Sequence, residues 1–247
     1  MSRSFVFAHC LSLLSRSAGL ILSLVLAALL GPATSHAQFG APSPGTQVHD
    51  ASALKPPAGA RVAIVEFEDM ECPDCARANP LLKDAAAKYK IPWVRHDFPL
   101  PMHAWSFNAA VNARWFDANK GKAMGDEYRD QVFANQSSIV GIEGLRKYTE
   151  NFAAGHHVAL PFAMDPQGKL ASDVKADYAL GQRVGIEHTP TIWVVTANSK
   201  GAPFVEVLDR SRLYQMIDQA IADTASAPKP AVAKTPAKTA AKKPNAN

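Results

Sequence analysis

The chain has 247 residues, 47% of them hydrophobic and 19% charged, with a formal net charge of +4. Such a composition belongs to a globular protein of one or two domains and excludes both a wholly disordered chain and a multi-span membrane protein. The positive charge sits at the ends: Arg3 and Arg16 precede every acid, and Lys229, Lys234, Lys238, Lys242 and Lys243 follow the last one. Residues 38–225 are mildly acidic, so the charge balance gives no support to nucleic-acid binding.

Arg3 and Arg16 lead into an apolar stretch from Ala18 to Leu30, stopped by Gly31-Pro32, with small residues at the −3 and −1 positions of Ser35-His36-Ala37. That is the pattern of a signal peptide, residues 1–37, cleaved after Ala37. The alternative, an uncleaved anchor, needs about 20 apolar residues, more than the stretch offers. With no cysteine at the cleavage point a lipoprotein is disfavoured, and loss of Cys10 leaves the mature chain with Cys72 and Cys75. Residues 38–57, rich in Pro, Gly and Ser and without periodicity, are expected to form a flexible leader. The tail, residues 226–247, is Ala/Lys/Pro low complexity that cannot bury enough apolar surface to offset chain entropy, and is expected to be a disordered spacer.

Residues 58–225 are expected to be the folded body. Arg61 to Phe67 (RVAIVEF) is a β-branched run, as in a central strand covered on both faces. Leu81 to Lys90 has the composition of a helix and Ile91 to Phe98 that of a second strand, making a βαβ unit with parallel pairing. From about 102 to 181 the pattern is helical: Ala104–Asn119, Gly125–Asn135, Gly141–Ala154 and Lys169–Arg183. Trp105, Phe107, Val111, Trp115 and Phe116 are read there as core residues. Strands resume at Thr191–Thr196 and Phe204–Leu208 around a Ser199-Lys200-Gly201 turn. Ser211 is expected to cap a last helix with Leu213, Met216, Ile217, Ala220 and Ile221 on one face. The order is that of an α/β fold with a helical insertion.

Cys72-Pro73-Asp74-Cys75 carries the chemistry. A bridge between these cysteines would close almost no loop and so stabilise little. A structural zinc site needs a second ligand pair, and the histidines at 96, 103, 156, 157 and 188 lack the spacing of a finger. A lone close pair where a strand meets a helix, in an exported chain, reads as a redox dithiol. Cys72 would sit at the helix N-terminus, where unpaired N–H groups and the dipole favour its thiolate, and Pro73 at the first turn, where a missing N–H costs nothing. Cys72 is then the attacking sulfur and Cys75 the resolving one. Thr189-Pro190 precedes the strand Thr191–Thr196, where proline is unusual; a cis bond would free the Thr189 backbone to pair with an extended substrate. Glu66, a carboxylate inside an apolar run, is costly to bury and is a candidate proton relay to Cys75.

Val65-Glu66-Phe67 with Cys72-Pro73-Asp74-Cys75 and Pro80 resembles the DsbA-like branch of the thioredoxin superfamily, as do Arg95 to Leu100 with His103-Ala104, and Thr189-Pro190-Thr191. The resemblance covers about Val62 to Ala222. It implies a thioredoxin fold with an inserted helical subdomain over about 102–181, and thiol–disulfide exchange in the periplasm on cysteine-containing secreted proteins. It further implies Cys72 as nucleophile, Cys75 as resolving cysteine, Pro190 as the cis-proline, Glu66 as the buried acid, Pro80 as the helix-kinking proline, and a membrane quinone-linked redox partner; no cofactor or metal is called for. Two departures bear on direction. Asp74 stands where the branch's oxidase has histidine, and Glu68, Asp69 and Glu71 add negative charge, so Cys72 is expected to be less acidic and its disulfide a weaker oxidant. Thr189 before the proline is similar to the isomerase branch, although residues 38–57 are too short for that branch's N-terminal dimerisation domain. Disulfide donation is therefore the leading expectation, with a reductase or isomerase second. A copper-handling module using Met102 or His103, and a substrate-binding chaperone, stand further behind.

Overall fold

A computed structural model of the chain describes residues 45–225. The signal sequence, the first part of the leader and the Ala/Lys/Pro tail lie outside the described residues.

Strand β1, Val62–Glu68, is buried at all seven positions, because it lies inside a four-stranded sheet of order β2-β1-β3-β4. β2 (Trp93–Asp97) pairs with it in parallel, β3 (Thr191–Thr196) antiparallel, and β4 (Phe204–Glu206) completes the sheet antiparallel to β3. Helix α1, Pro73–Tyr89, makes the crossover between β1 and β2. It starts earlier than the composition of Leu81–Lys90 suggests, since Pro73 presets its first turn and Cys75, Ala78, Asn79, Leu82 and Ala85 form one buried stripe at helical spacing. β2 is shorter than the apolar run Ile91–Phe98, yet its flanks extend the ladder: Ile64 N–H donates to Pro92 O and Phe98 N–H to Glu68 O.

Strand alternation assigns each face. Val62 and Ile64 face α1 and the last helix, α6 (Leu213–Thr224), in a core with Ala78, Leu82, Ile192, Leu213 and Ile217. Ala63, Val65 and Phe67 face the other way, against Phe98, Val184, Ile186, Trp193 and Leu54. The third core belongs to α2 (Ser106–Lys120), α3 (Lys122–Asn135) and α4 (Gly141–Gly155), where Trp105, Phe116, Tyr128, Val132, Leu145 and Phe152 pack together and reach Met70, Cys72 and Cys75. Helix α5, Lys169–Val184, was expected to belong to that helical block but packs on the sheet. Its Gly181 allows the approach, for a Cβ there would stand 2.5 Å from Phe98 and 3.0 Å from Phe67.

Two expectations are corrected. The described part of the leader is docked: Leu54 is buried, His49 N–H donates to Val184 O, and Thr46 binds the Glu206 carboxylate through N–H and hydroxyl. Gly185, at φ +104°, makes room for it, with Gln47 O only 2.4 Å from where a Cβ would be. Nor does Ser211 cap the last helix. Asp209 caps a 3₁₀ turn over Arg210–Arg212 by accepting from the Ser211 N–H, and α6 continues from that turn.

A buried ion network joins the sheet to the helical insertion. Arg129 of α3 binds Glu68 at 2.8 Å and Asp97 at 2.6 Å, Arg95 binds Glu68 at 2.8 Å, and Arg114 of α2 spans Asp97 and Asp177. Burial would raise the Asp97 pKa, but Arg129 and Arg114 outweigh it and hold the carboxyl at about 2, below its ordinary 3.8. A depressed carboxylate pKa stabilises the fold above pH 3.8 and ceases to do so as pH falls through about 2. Arg129→Met takes one of two arginines from each of the buried carboxylates Glu68 and Asp97 and is expected to lose about 3–5 kcal/mol of stability in urea unfolding. A loss under about 1 kcal/mol would show that the network does not tie the insertion down.

Candidate active site

β1 runs through Glu68-Asp69-Met70-Glu71 into α1, and Cys72 occupies the N-cap position with extended backbone (φ −76°, ψ 120°). Its side chain caps nothing, so the sulfur is left to face the free N–H groups of the first turn. The backbone is pinned: Cys72 N–H donates to Asp69 O at 3.0 Å, and Ala76 N–H donates to Cys72 O at 3.2 Å. Both cysteines are thiols and both are buried.

The Cys72 thiol donates to the backbone carbonyl of Thr189 at 3.3 Å, and the Thr189–Pro190 bond is cis. Thr189 and Pro190 thus stand against Cys72, having been placed by β3, which Pro190 immediately precedes. The Thr189 hydroxyl is buried with no hydrogen bond of ordinary geometry among the described residues, yet lies near enough to favour the thiolate. The Cys72 pKa is lowered from 9.0 to about 5, chiefly by a hydrogen bond from Cys75, then by the Thr189 side chain and the N–H groups of Cys75 and Asp74, with burial opposing. Cys75 is pushed the other way, well above 9.0, by burial first and then by Cys72 and the charge of Glu66. The Asp69 N–H donates to its sulfur at 3.4 Å. Two thiols one turn apart therefore differ sharply in acidity.

Glu66 lies on the α1 side of β1, as its even register with Val62 and Ile64 requires, and is buried. Trp93 Nε1 donates to its carboxyl at 3.0 Å. Burial, and then the charge of Glu68, raise its pKa from 4.5 to about 8, against the pull of Arg95, Trp93 and Arg129. A carboxyl with that value is protonated at neutral pH and holds a proton beside Cys75.

The carboxylates around the motif are each engaged by partners. Asp74 binds Arg210 at 2.6 Å and Arg77 at 3.0 Å. Glu71 accepts from the N–H groups of Trp105 and Ser106 at 2.7 and 3.1 Å, capping α2. Asp69 accepts from Leu100 N–H at 2.6 Å and meets His103 Nδ1 at 2.8 Å. Glu68 is held by Arg95 and Arg129. The expectation that four carboxylates oppose the Cys72 thiolate omitted these partners. Of the residues named for metal handling, Met102 is exposed and His103 is engaged by Asp69.

Gln136 escaped sequence reasoning altogether. From the turn after α3 its amide donates to the carbonyls of Met70 at 2.8 Å and Cys72 at 3.0 Å, so the insertion grips the loop that carries Cys72. No spacing or composition signal marks it.

A family model described as Thioredoxin matches residues 58–211. The chain belongs to the thioredoxin family. No curated protein matches its sequence. Among solved structures it is similar to the thiol-disulfide exchange protein alpha-DsbA2 of Wolbachia pipientis, at 16% identity and TM-score 0.54 over 67% of this chain and 84% of that one. Pseudomonas aeruginosa DsbA2 aligns at 23% identity and TM-score 0.50 over 74% of this chain and 98% of its own. Proteus mirabilis ScsC aligns at 16% identity and TM-score 0.52 over 88% and 95%. These likenesses agree on the fold: a thioredoxin sheet with a helical subdomain inserted before β3. Among the described residues no helix is long and apolar enough to cross a membrane.

The ultraviolet absorbance of the thiolate should report the Cys72 ionisation with a midpoint near pH 5 in this thioredoxin-family protein, absent in Cys72→Ser. Because the folded value lies below the unfolded 9.0, the thiolate stabilises the reduced fold fully above pH 9 and ceases to do so as pH falls to about 5. Glu66 acts in the opposite sense, its stabilisation present below 4.5 and lost as pH rises through about 8, but in both redox states. The stability of reduced minus oxidised protein should therefore climb from pH 5 to pH 9. A flat difference would contradict the lowered Cys72 pKa.

Proposed function

We propose that the chain is an exported thiol–disulfide oxidoreductase that donates the Cys72–Cys75 disulfide to cysteine-containing secreted proteins in the periplasm. The observation that carries this reading is the division of acidity across the pair: an N-terminal sulfur beside Thr189–Pro190 that ionises readily, and a buried partner that favours its proton. Export and location rest on the signal pattern of residues 1–37.

In the oxidised state a substrate thiolate attacks the Cys72 sulfur, the Cys72–Cys75 bond breaks, and Cys75 leaves as a thiolate. The buried thiolate takes a proton from Glu66, which later regains one from solvent. A second substrate thiolate then attacks the substrate's own sulfur in the mixed disulfide, and Cys72 departs as a thiolate. Two substrate thiols become one disulfide, and the pair carries away two electrons. A thiol of low pKa is a good leaving group, so a Cys72 at about 5 favours release of oxidised substrate. Thr189, with Pro190, lines the approach and offers backbone to an extended substrate, while Pro73 and Asp74 tune the pair. Re-oxidation by a membrane quinone-linked partner completes the cycle in this proposal.

Cys75→Ser is expected to accumulate mixed disulfides through Cys72, whereas Cys72→Ser forms none; equal trapping by both variants would contradict the division of roles. Equilibration with glutathione should give a potential between the roughly −120 mV of the strong periplasmic oxidase and the −230 to −270 mV of glutaredoxins and thioredoxin. A value in the lower range would turn the role to reduction or isomerisation. Glu66→Gln, unable to give a proton, is expected to slow formation of the mixed disulfide by about 10²-fold. An unchanged rate would remove Glu66 from the proton path.

A further inference from the structure

We infer that Arg210, on the turn between β4 and α6, is a positioning residue that sets the acidity of Cys72 by cancelling the charge of Asp74; this rests on the exchange reading above. Asp74 lies between the two cysteines in the first turn of α1, next in the chain but one to the nucleophile. A carboxylate suits a helix N-terminus, but the same place puts it beside a sulfur that must ionise, and like charges disfavour each other. Arg210 resolves the conflict with two contacts. Its Nη2 meets the Asp74 carboxylate at 2.6 Å, and its Nη1 donates to the Asp74 carbonyl at 3.2 Å. A planar guanidinium makes both at once, and a lysine ammonium does not.

The turn that presents Arg210 is itself fixed. Asp209 accepts from the Ser211 N–H at 2.9 Å and from its hydroxyl at 2.7 Å. Arg77 also reaches Asp74, at 3.0 Å, but its side chain is 67% exposed against 34% for Arg210, so solvent screens it more. The other acids near the motif, Glu66, Glu68, Asp69 and Glu71, are engaged by Trp93, by Arg95 and Arg129, by Leu100 and His103, and by the start of α2. Asp74 is thus the acid between the two cysteines, and its neutralisation depends on a side chain brought in from the turn before α6.

The test is the Cys72 thiolate titration and the glutathione equilibrium of the full chain and four variants, each checked for folding by circular dichroism. Arg210→Met should make Cys72 about tenfold less acidic and shift the potential about 30 mV more negative, because a less stabilised thiolate makes the reduced state less favoured. Asp74→Asn, leaving two arginines unopposed, should shift both readings the opposite way. The double variant should return close to the parent, and Arg210→Lys should fall between the parent and Arg210→Met. The inference is overturned if folded Arg210→Met titrates as the parent does, or if the double variant moves as far as Arg210→Met. Should the titrations respond as expected while the parent shows no reversible couple with glutathione, Arg210 keeps its role and disulfide exchange is what fails.

Discussion

A strand buried on both faces that carries two carboxylates is the constraint on which the rest of the molecule turns. β1 must place Glu66 and Glu68 where neither can be hydrated, and a buried charge without compensation is unaffordable in a domain of this size. The fold answers in two ways. Glu68 keeps partners, Arg95 from the neighbouring strand and Arg129 from the insertion, and thereby becomes the anchor between sheet and helical subdomain. Glu66, to which Trp93 alone donates among the described residues, keeps a proton. Structural support and a buried acid thus come from adjacent outcomes of one problem.

The same division recurs at the cysteines. Cys72 is at a helix start, surrounded by donors; Cys75 is one turn inside, in apolar packing beside Glu66. Nothing in the side chains distinguishes the two thiols. Their difference is made by the hydrogen bond that Cys75 gives to Cys72, by burial, and by the N–H groups left free at the start of α1. The insertion contributes to this place as well as covering it: its aromatic core reaches Met70 and both cysteines, and Gln136 holds the carbonyls of Met70 and Cys72. Changes in how the insertion packs are therefore felt at Cys72.

Much of this was legible before any coordinates. The nearly continuous β-branched run marks β1 as a central strand, Pro73 after Cys72 marks a helix start, and Thr189-Pro190 ahead of TIWVVT marks a proline in an unusual place. Where the reading strayed, the reasons are physical. Residues 45–57 look like a linker because Pro, Gly and Ser lack periodicity, yet Leu54 and the His49 backbone find partners on α5 and its C-terminal turn. Helix α5 has the same local pattern as the insertion helices, and only the absence of a side chain at Gly181 reveals that it lies on the sheet.

Asp74 shows the boundary most clearly. Its charge, and its place between the cysteines, follow from the order of residues alone, as do the candidate nucleophile, the resolving cysteine and the helix dipole that separates them. Whether that charge acts on Cys72 does not. Arg210 is far along the chain and reaches Asp74 because β4 and the turn before α6 return to the N-terminal end of α1. Local chemistry is written in short stretches, because helix starts, strand faces and proline positions depend on near neighbours. Electrostatic environment is set by whatever the chain brings within a few ångströms, and that is decided only when the sheet closes and the last helix docks.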